Sequence, residues 1–331
     1  MADTRLDVLT IGNAIVDVIA DASDEFLAAE GLTKDSMRLV NAEEAKRLYD
    51  HMQPAREVSG GCAGNTAAGI AALGGRAGFV GQVAPDQLGE FYIHDLRAAG
   101  VEFTTAPVDV GVPTARSMIL VTPDGHRTMN TFLGAAQELT VEVLDEDQIR
   151  AAAMLYLEGY LWDPETPRYA MVRAIEVARQ AGRKVAFSLS DLFCVERHRD
   201  GFTSLIGDGR VDTLFANEAE ILAMARVSDV ETAVAAIAPK VETLVVTRGA
   251  AGALAVRGSE RADVSAEPVR EVVDTTGAGD LFAAGFLFGE ATGKSLDQSL
   301  RLGAIAAAEI IQHYGARPEE DLKALAGELV D

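Results

Sequence analysis

The sequence predicts an α/β fold in which a doubly wound, mostly parallel sheet is flanked by helices and carries a small β-sheet lid. Three observations support this prediction. Short β-type runs alternate with helical patterns, two segments contain β-type runs without helices between them, and apolar residues make up 48% of the 331-residue chain. At roughly 100–200 residues per domain, we expect one domain over residues 1–331, because no linker-like run or internal repeat divides the chain.

The alternating elements follow one another from the first residues to the C-terminal part of the chain. Leu6–Ile11 is rich in apolar and β-branched residues, as strands are, and the alanine-rich Gly64–Leu73 is typical of a helix. The further predicted strands are Ala77–Gly81, Met154–Leu157, Lys184–Leu189, Thr213–Ala216, Thr243–Thr247 and the hairpin-like Ala253–Arg257. The further predicted helices are Gln87–Ala98, Pro167–Gln180, Gly277–Thr292 and Leu296–His313. We expect ligands at the carboxyl ends of the strands, where open α/β sheets bind them.

The predicted lid comes from two segments that are separate in the sequence, about 15–40 and 101–132. The second segment holds three β-type runs, Val101–Thr105, Thr114–Val121 and Arg127–Phe132. The last two runs are joined by P-D-G-H at 123–126, which is a good hairpin turn. Since no helical pattern separates the three runs, we expect a small sheet beside the main one.

The acidic composition argues against several classes of protein. The net charge is −22 and the sequence pI is about 4.6, and this sign of charge repels nucleic-acid backbones and anionic membranes. Met1–Arg5 is polar, and the apolar run Leu281–Phe288 is far shorter than the roughly 20 residues of a membrane span. Cys62 and Cys194 are too few for a disulfide framework. We therefore expect a cytoplasmic enzyme without nucleic-acid or membrane partners.

The segment D-T-T-G-A-G-D at 274–280 predicts the chemistry. It follows a β-type run over Arg270–Val273 and precedes an apolar helix. A glycine-rich turn that enters a helix offers backbone N–H groups and the positive end of the helix dipole to a phosphate. Asp280 lies in the first helical turn, and we interpret it as a general base that takes the proton of a substrate hydroxyl during phosphoryl transfer. The alternative is an aspartate that only complements the helix dipole.

Four motifs in order resemble the signatures of the ribokinase (PfkB) family of carbohydrate and nucleoside kinases. They are G-G-C-A-G-N-T at 60–66, A-N-E-A-E at 216–220, V-T-R-G at 246–249 and D-T-T-G-A-G-D at 274–280. The resemblance extends from about residue 6 to about residue 318. It implies a ribokinase-like fold and a kinase that uses ATP and Mg²⁺, with K⁺ as a further candidate ion.

The same resemblance implies roles for individual residues. Asp280 resembles the catalytic base, and the anion hole for the transferred phosphoryl group is implied at the amides of Gly277, Ala278 and Gly279. Contacts to Mg²⁺ through water are implied for Asn217 and Glu220. Nucleotide contacts are implied for Asn217, Thr247, Gly249, Gly252 and Thr276, and a K⁺ site is implied at Asp274 and Thr276. A helix N-cap with a solvated first-turn acid remains the alternative for Asn217 and Glu220.

The N-terminal half resembles the adenosine kinase subgroup of that family. The segments that carry this resemblance are G-N-A-I-V-D at 12–17, residues 24–40, L-S-D-L-F at 189–193 and V-D-T-L-F at 211–215. The resemblance implies phosphorylation of adenosine to AMP, a reaction of purine salvage. The residues implied to hold the ribose are Asn13, Asp17, Gly60, Gly61 and Asn65, and a carboxylate with an amide suits vicinal hydroxyls. Taken singly, the alternatives are a strand-end turn residue for Asp17 and a helix N-cap for Asn65.

An adenine base needs an apolar or aromatic wall. The candidates for this wall are Tyr160, Trp162, Phe132 and Leu133. Arg127 in the lid hairpin is expected either to close over the phosphates or to be an ordinary exposed arginine. An exposed lid edge would also allow a homodimer.

Two other functions stay open at this stage. C-A-G at 62–64 departs from the more polar residues that are usual in eukaryotic adenosine kinases, and Arg116 places a polar group near the lid, as sugar kinases of this family often do. The alternatives are therefore a kinase of ribose, fructose or a related sugar, and a non-enzymatic metabolite-binding regulator on the same fold. The complete D-T-T-G-A-G-D segment argues against the regulator.

Overall fold

The computed structural model describes residues 5–330, in which fourteen strands form two separate sheets. The strands are β1 (Leu6–Ile11), β2 (Ile15–Asp21), β3 (Met37–Leu39), β4 (Arg56–Ser59), β5 (Ala77–Val80), β6 (Glu102–Phe103), β7 (Ala115–Val121), β8 (Arg127–Phe132), β9 (Ala152–Glu158), β10 (Lys184–Ser188), β11 (Thr213–Asn217), β12 (Thr243–Thr247), β13 (Ala253–Arg257) and β14 (Glu260–Val264). The helices are α1 (Asp24–Ala29), α2 (Ala42–His51), α3 (Cys62–Ala72), α4 (Gln87–Ala98), α5 (Glu146–Ala151), α6 (Glu165–Gln180), α7 (Leu192–Gly207), α8 (Glu218–Ala225), α9 (Val230–Ile237), α10 (Ala278–Ala291), α11 (Leu296–Ile310) and α12 (Leu322–Ala326).

The larger sheet has nine strands in the order β14-β13-β12-β11-β10-β9-β1-β5-β6. The strands from β12 to β6 pair in parallel, whereas β13 and β14 pair antiparallel at one edge. Because β1 lies inside this sheet, its side chains enter both flanking layers. Leu9 and Ile11 belong to one apolar cluster and Val8 to the other. This arrangement is the doubly wound, mostly parallel sheet that the sequence predicts.

Helix α10 carries the predicted catalytic segment into the interior of the molecule. Its residues Leu281–Gly289 are all buried, because the helix packs against both α3 and α11. A Cβ on Gly285 would lie 2.3 Å from the carbonyl oxygen of Leu302, so the close approach of α10 to α11 requires glycine. This packing holds the first turn of α10 against α3, where Thr66 Oγ1 donates to the carbonyl oxygen of Asp280 at 3.2 Å.

The smaller sheet, here called the lid, has five strands in the order β3-β8-β7-β2-β4. Strands β2 and β7 pair in parallel, as do β3 and β8, and the other neighbours are antiparallel. The lid has an apolar core of its own, formed with α1 and α2 by residues that include Leu27, Leu48, Met118, Leu120 and Phe132. The chain enters the lid from β1 through residues 12–14 and returns from β4 through residues 60–61. Both crossings therefore contain residues predicted to hold the ribose.

One predicted lid strand belongs to the main sheet. Within Val101–Thr105, the two residues of β6 pair with β5 at the sheet edge. The reason is aromatic packing, since the ring of Phe103 lies 5.3 Å from that of Phe79 and 5.9 Å from that of Tyr92, centroid to centroid. The lid instead contains β4, which the sequence pattern does not predict. Its other predicted strands, in segments 15–40 and 101–132, do lie in the smaller sheet.

The run Arg270–Val273 is also placed differently from the prediction. It lies outside both sheets, and the backbone N–H of Val273 donates to the carbonyl oxygen of Ile311 after helix α11. The catalytic turn is therefore held by the C-terminal part of the chain. Helices α1, α2, α5, α7, α8, α9 and α12 are not among the predicted elements. Over residues 5–330, no helix is long and apolar enough to cross a membrane.

Candidate active site

One continuous cleft of about 810 Å³ runs between the lid and the carboxyl ends of the central strands of the main sheet. The predicted site residues that line it are Asn13, Asp17, Gly61, Asn65, Tyr160, Asn217, Glu220, Thr247, Thr276, Gly277, Gly279 and Asp280. Gly60 and Ala278 are the immediate neighbours of lining residues. The fold thus brings the predicted ribose, phosphate and nucleotide residues into one cavity, at the sheet edge where ligands were expected.

A buried carboxylate, Glu158 at the end of β9, holds the floor of the cleft together. Its Oε1 accepts hydrogen bonds from the backbone N–H and the side-chain Nδ2 of Asn13, both at 2.8 Å, and its Oε2 accepts from the N–H of Ala63 at 2.9 Å. Burial raises the pKa of Glu158 to about 7, against the lowering effect of these hydrogen bonds. The Oδ1 of Asn13 remains buried without a hydrogen-bond partner within residues 5–330.

Two glycines allow the chain to return from the lid close to the predicted ribose residues. Gly61 has a φ of 82°, and a Cβ on it would lie 2.1 Å from the carbonyl oxygen of Asn13. A Cβ on Gly60 would lie 2.5 Å from Oδ2 of Asp17. Gly61 therefore requires glycine because of the backbone, whereas a side chain at residue 60 would have to displace the carboxylate of Asp17.

Asp17 is a strand residue that faces the cleft, so it is not the turn residue of the alternative interpretation. It lies in the middle of β2, between Val58 of β4 and Ser117 of β7. Burial raises the pKa of Asp17 to about 7, and the charges of Arg317 and Arg127 oppose that rise. The charge of Asp17 therefore changes near neutral pH, so its strength as a hydrogen-bond acceptor for substrate hydroxyls depends on pH.

Asp280 faces the same end of the cleft and is tied to α3. Its Oδ2 accepts a hydrogen bond from Asn65 Nδ2 at 2.9 Å, and Asn65 Oδ1 accepts from Arg317 Nη1 at 2.5 Å. Asn65 does not cap α3, since Gly61 occupies the N-cap position. Burial raises the pKa of Asp280 to about 6, whereas the hydrogen bonds from Asn65 and Cys62 lower it. This carboxylate is mostly ionised at neutral pH and is a stronger base than an ordinary aspartate.

The N-terminus of α10 is open to an anion. Gly277 has a φ of 80°, and no side chain within residues 5–330 caps the helix. The backbone N–H of Ala278 donates to the carbonyl oxygen of Thr275 at 3.2 Å. The N–H groups of Gly277, Gly279 and Asp280 have no partner in the described chain. Unsatisfied N–H groups at the positive end of a helix are the usual partners of phosphate.

Asn217 and Glu220 form a capping box at the start of helix α8, as the alternative interpretation holds, but Glu220 is buried and is not the solvated acid of that interpretation. Oε2 of Glu220 accepts from the N–H of Asn217 at 2.9 Å and Oε1 accepts from its Nδ2 at 2.6 Å, while Asn217 Oδ1 accepts from the N–H of Glu220 at 2.9 Å. Burial raises the pKa of Glu220 to about 7. The described residues contain no cluster of three or more acidic, histidine or cysteine side chains that would ligate a metal directly. One carboxylate at the cleft wall suits Mg²⁺ that keeps its waters.

The other predicted nucleotide residues differ in position. Thr247 ends β12 and lines the cleft, and Gly249 is exposed in the turn that follows, with φ at 55°. Gly252 does not line the cleft, because it is buried against β14. A Cβ on Gly252 would lie 2.0 Å from the carbonyl oxygen of Val264. Gly252 is therefore needed for the turn between β12 and β13, which is a structural reason for its presence.

Arg127 is almost fully buried, so it is not an ordinary exposed arginine. Its Nη2 lies 2.8 Å from Oδ2 of Asp274, and its guanidinium lies over the ring of Tyr314, 5.2 Å from the centroid. Thr276 donates its N–H and its Oγ1 to Oδ1 of Asp274 at 3.0 and 2.8 Å, and the N–H of Gly315 donates to Oδ2 at 3.1 Å. The predicted K⁺ ligand Asp274 thus already has a cationic partner, which connects the lid to the phosphate turn.

The lid contributes a different wall from the one predicted. Strand β8 alternates its side chains, so Met129 and Thr131 line the cleft together with Leu133, while Phe132 packs in the core of the lid. Phe132 is therefore too far inside the lid to serve as a wall of the cleft, and Leu133 is placed as predicted. Tyr160 also lines the cleft, on the opposite side.

Two further side chains lie outside the cleft. Trp162 packs against Phe202, with ring centroids 5.8 Å apart, so it does not form the predicted wall. Arg116 lies over the ring of Tyr49 of α2, 5.4 Å from the centroid, on the other face of the lid. An aromatic side chain that was not predicted, Phe193, lines the cleft and is 64% exposed.

Several residues of the site were not predicted from the sequence, among them Glu158, Phe193 and Arg317. An acidic residue at the end of an apolar run was a signal for Glu158, because a carboxylate at the end of a buried strand needs partners. Phe193 lies in the quoted L-S-D-L-F segment, directly after a predicted strand. Arg317 had no local signal, since its partner Asn65 is 252 residues away in the sequence.

The chain is similar to known kinases over nearly its whole length. The family model of the pfkB family carbohydrate kinases matches residues 8–322. The crystal structure of a probable sugar kinase protein from Rhizobium etli CFN 42 is 49% identical, with a TM-score of 0.92 over 98% of this chain and 98% of that one. Adenosine kinase from Sinorhizobium meliloti is 50% identical, with a TM-score of 0.91 over 97% of this chain and 98% of that one. Adenosine kinase from Saccharomyces cerevisiae is 29% identical over 331 residues, which cover 93% of this chain and 95% of the yeast protein.

Proposed function

This chain belongs to the pfkB family of carbohydrate kinases, and we propose that it transfers the γ-phosphate of ATP to the hydroxymethyl group of a nucleoside, converting adenosine to AMP. Membership of the family makes the chain a phosphotransferase with an alcohol group as acceptor, which takes its phosphate from ATP and usually requires Mg²⁺. Two adenosine kinases support the narrower choice of adenosine as the acceptor: the S. meliloti enzyme at 50% identity and the yeast enzyme at 29% identity.

One observation carries the proposal. The carboxylate of Asp280 lies between the open N–H groups at the start of α10 and the side chain of Asn65, which belongs to the predicted ribose site. A hydroxymethyl group on a ribose held by Asn13 and Asp17 would meet the base and the transferred phosphate in the same place. Positioning of this kind accounts for much of the rate of phosphoryl transfer.

In the proposed reaction, Asp280 accepts the proton of the substrate hydroxyl while its oxygen forms a bond to the γ-phosphorus. The bond from that phosphorus to the bridging oxygen breaks, and its electron pair leaves with ADP. The open N–H groups of Gly277 and Gly279 stabilise charge on the transferred group. Mg²⁺, contacted through water by Glu220 and Asn217, would neutralise phosphate charge during this step.

The buried Oδ1 of Asn13 and the carboxylate of Asp17 are the acceptors that we assign to the ribose hydroxyls. Asn13 Oδ1 lacks a partner within residues 5–330, and an unsatisfied buried acceptor costs free energy until a donor reaches it. The Oδ1 of Asn65 already accepts a hydrogen bond from Arg317, so we assign its amide nitrogen to the ribose. Its Nδ2 carries a second hydrogen that is available to a ribose oxygen.

Apolar side chains around the cleft favour a nucleoside over a free sugar. Met37 is 48% exposed and Leu39 is 54% exposed, and both line the cleft from the lid, with Phe193 opposite. Exposed apolar groups around a cavity mark a ligand surface, and a purine base would bury them whereas ribose or fructose would not. The residue that suggested a sugar, Arg116, lies on the other face of the lid.

Sugar phosphorylation is the second candidate, because the equally similar R. etli protein is described as a probable sugar kinase. A coupled ADP-release assay with Mg-ATP separates the two candidates. Adenosine, inosine, guanosine, ribose, fructose and 2-keto-3-deoxygluconate would each be tested as acceptor. We expect the highest kcat/KM with adenosine. A free sugar with a higher kcat/KM would assign the cleft to sugars, and binding without any turnover would support the regulator.

Three finer points belong to the proposal as well. A K⁺ site at Asp274 and Thr276 requires Arg127 to leave Asp274, because Arg127 now supplies the positive charge there.

Strand β3 lies at an edge of the lid sheet and has backbone groups that could pair with a second copy of the chain, which is the basis for proposing a homodimer. A cytoplasmic location is in keeping with the free thiols of Cys62 and Cys194.

We expect the lid to close when adenosine binds. Closure would bury Met37, Leu39 and Phe193 and exclude water from the phosphoryl transfer. Small-angle scattering should then show a smaller radius of gyration with saturating adenosine, and hydrogen exchange should slow in β3 and β8. Ribose at saturating concentration is the matched comparison, since it lacks the base that would cover the apolar wall. An unchanged radius and unchanged lid exchange with adenosine would contradict closure.

A further inference from the structure

Arg317 lies behind the acceptor end of the cleft and joins three parts of the molecule. Its Nη1 donates to Asn65 Oδ1 of α3 at 2.5 Å, and its Nη2 and Nε donate to Ser59 Oγ at the end of β4, at 2.8 and 3.3 Å. The hydroxyl of Ser59 donates in turn to Asp95 of α4. A hydrogen-bonded chain therefore runs from Asp95 through Ser59, Arg317 and Asn65 to Asp280.

The loop that carries Arg317 is held at both ends by buried carboxylates. Before Arg317, the N–H of Gly315 donates to Asp274 at 3.1 Å. After it, the N–H groups of Glu319 and Glu320 both donate to Oε1 of Glu309 at 2.9 Å, and Glu309 is 3% exposed. A fixed loop of this kind places the guanidinium in one geometry, so little entropy is lost when it binds its partners.

Arg317 also decides which way the amide of Asn65 points. A guanidinium only donates, so it must contact the oxygen of the amide. The nitrogen then has to face Asp280, where it donates to Oδ2 at 2.9 Å. Without Arg317 the amide is free to rotate by half a turn, and its oxygen would then favour a protonated Asp280. The arginine thus selects the amide orientation that suits an ionised base.

We propose that Arg317 is a positioning residue for the phosphoryl transfer: it fixes the amide of Asn65 towards Asp280, and its charge compensates the carboxylates of Asp17 and Asp280 at the acceptor end of the cleft. This inference rests on the proposed function, in which Asp280 is the base.

The surroundings of Asp280 explain why such a charge is needed. The titratable and charged groups that act on Asp280 from other elements are Asp17, Cys62, Tyr156, Glu158, Tyr160 and Arg317. Among these six, only Arg317 is a cation. Burial raises the pKa of Asp17 and of Asp280, and Arg317 lowers both. Removing the arginine should therefore leave more of Asp280 protonated at neutral pH.

The test is the pH profile of kcat at saturating substrate, using the acceptor with the highest kcat/KM, for the parent and for Arg317→Gln. The rate should rise with pH as Asp280 loses its proton. In Arg317→Gln we expect this acid limb to move to higher pH by about one pH unit, which lowers kcat about tenfold on the limb. Loss of structural support alone would lower the melting temperature without moving the limb. An acid limb at the parent position in a folded Arg317→Gln enzyme would overturn the proposal.

Three further variants complete the experiment. Arg317→Lys keeps the charge but has a single donor group, so its acid limb should stay in place while the plateau of kcat falls. A kcat plateau of Arg317→Lys equal to that of the parent would contradict the proposal, and so would an acid limb shifted to higher pH. This test remains valid even if Arg317→Gln does not fold. The control is Arg257→Met, which removes a half-buried arginine that pairs with Glu290 at the far end of α10 and should not move the limb. The Asp280→Asn variant distinguishes a failure of the Arg317 proposal from a failure of the proposed function. If Asp280→Asn stays active, Asp280 is not the base; if it loses activity, the base assignment stands whatever the Arg317 variants show.

Discussion

Replacing Asp280 with asparagine is expected to lower kcat by at least about 100-fold, since positioned proton transfer typically contributes 10²–10⁴-fold. The change removes the base but keeps the shape of the site. An asparagine oxygen at this position can still accept the hydrogen bond that Asn65 Nδ2 donates to Asp280. Adenosine should therefore bind to within about threefold of the parent affinity, while turnover is lost. Steady-state kinetics and calorimetric titration with adenosine measure the two quantities separately.

The matched control for this prediction is Glu290→Gln on the same helix. Glu290 lies near the C-terminal end of α10 and pairs with Arg257, far from the cleft residues. Its loss should leave kcat near the parent value. Activity of Asp280→Asn within tenfold of the parent would refute the base assignment and would leave the helix-dipole interpretation of this aspartate.

The second large effect is expected at Asp17. Asp17→Asn should raise the KM for adenosine about 10- to 100-fold with a smaller change in kcat, because a hydrogen bond to a charged acceptor contributes about 1.5–3 kcal/mol. Burial raises the pKa of Asp17 to about 7, so the charged form predominates above that pH. Adenosine affinity of the parent should therefore weaken as the pH falls below 7. The variant should lose most of this pH dependence.

Asp21→Asn provides the comparison on the same strand. Asp21 ends β2, is exposed, and does not line the cleft, so its loss should leave the KM for adenosine within about twofold. Titrations of parent and variants between pH 5.5 and 9 would establish the pH dependence. An unchanged KM in Asp17→Asn would show that the ribose is held elsewhere, and Asn13 with its unpartnered Oδ1 would then be the next residue to test.

The sequence predicted those parts of the site whose signal is local. The turn at Gly277 and the first helical turn with Asp280 follow from seven adjacent residues, so their geometry could be derived before the fold was known. The inner parallel strands β1, β5, β9, β10, β11 and β12 were also predictable, because their apolar runs are buried. Asn13, Asp17 and Asn65 depended on the order of the motifs, since each has a plausible local role when taken alone.

The other parts of the site and fold could not be predicted. They depend on contacts between residues far apart in the sequence, or on which face of a strand points to the cleft. Glu158 contacts Asn13 across 145 residues, and Arg317 contacts Asn65 across 252. The pattern of β8 shows alternation without showing which face meets the cleft, so Phe132 was assigned to the wall although it belongs to the core of the lid. Strand β6 is only two residues long, and its aromatic partners, rather than its own sequence, place it in the main sheet.

Internal competition among acceptors tests the central claim most directly. The enzyme would be incubated with Mg-ATP and an equimolar mixture of adenosine, ribose and fructose, and the phosphorylated products identified by mass spectrometry. Because the product ratio early in the reaction, before much of any acceptor is consumed, equals the ratio of the kcat/KM values, the result does not depend on separate assays. We expect AMP as the main product, and at least about 100-fold less AMP from the Asp280→Asn enzyme in the same time. Ribose phosphate or fructose phosphate in excess over AMP would contradict a nucleoside kinase.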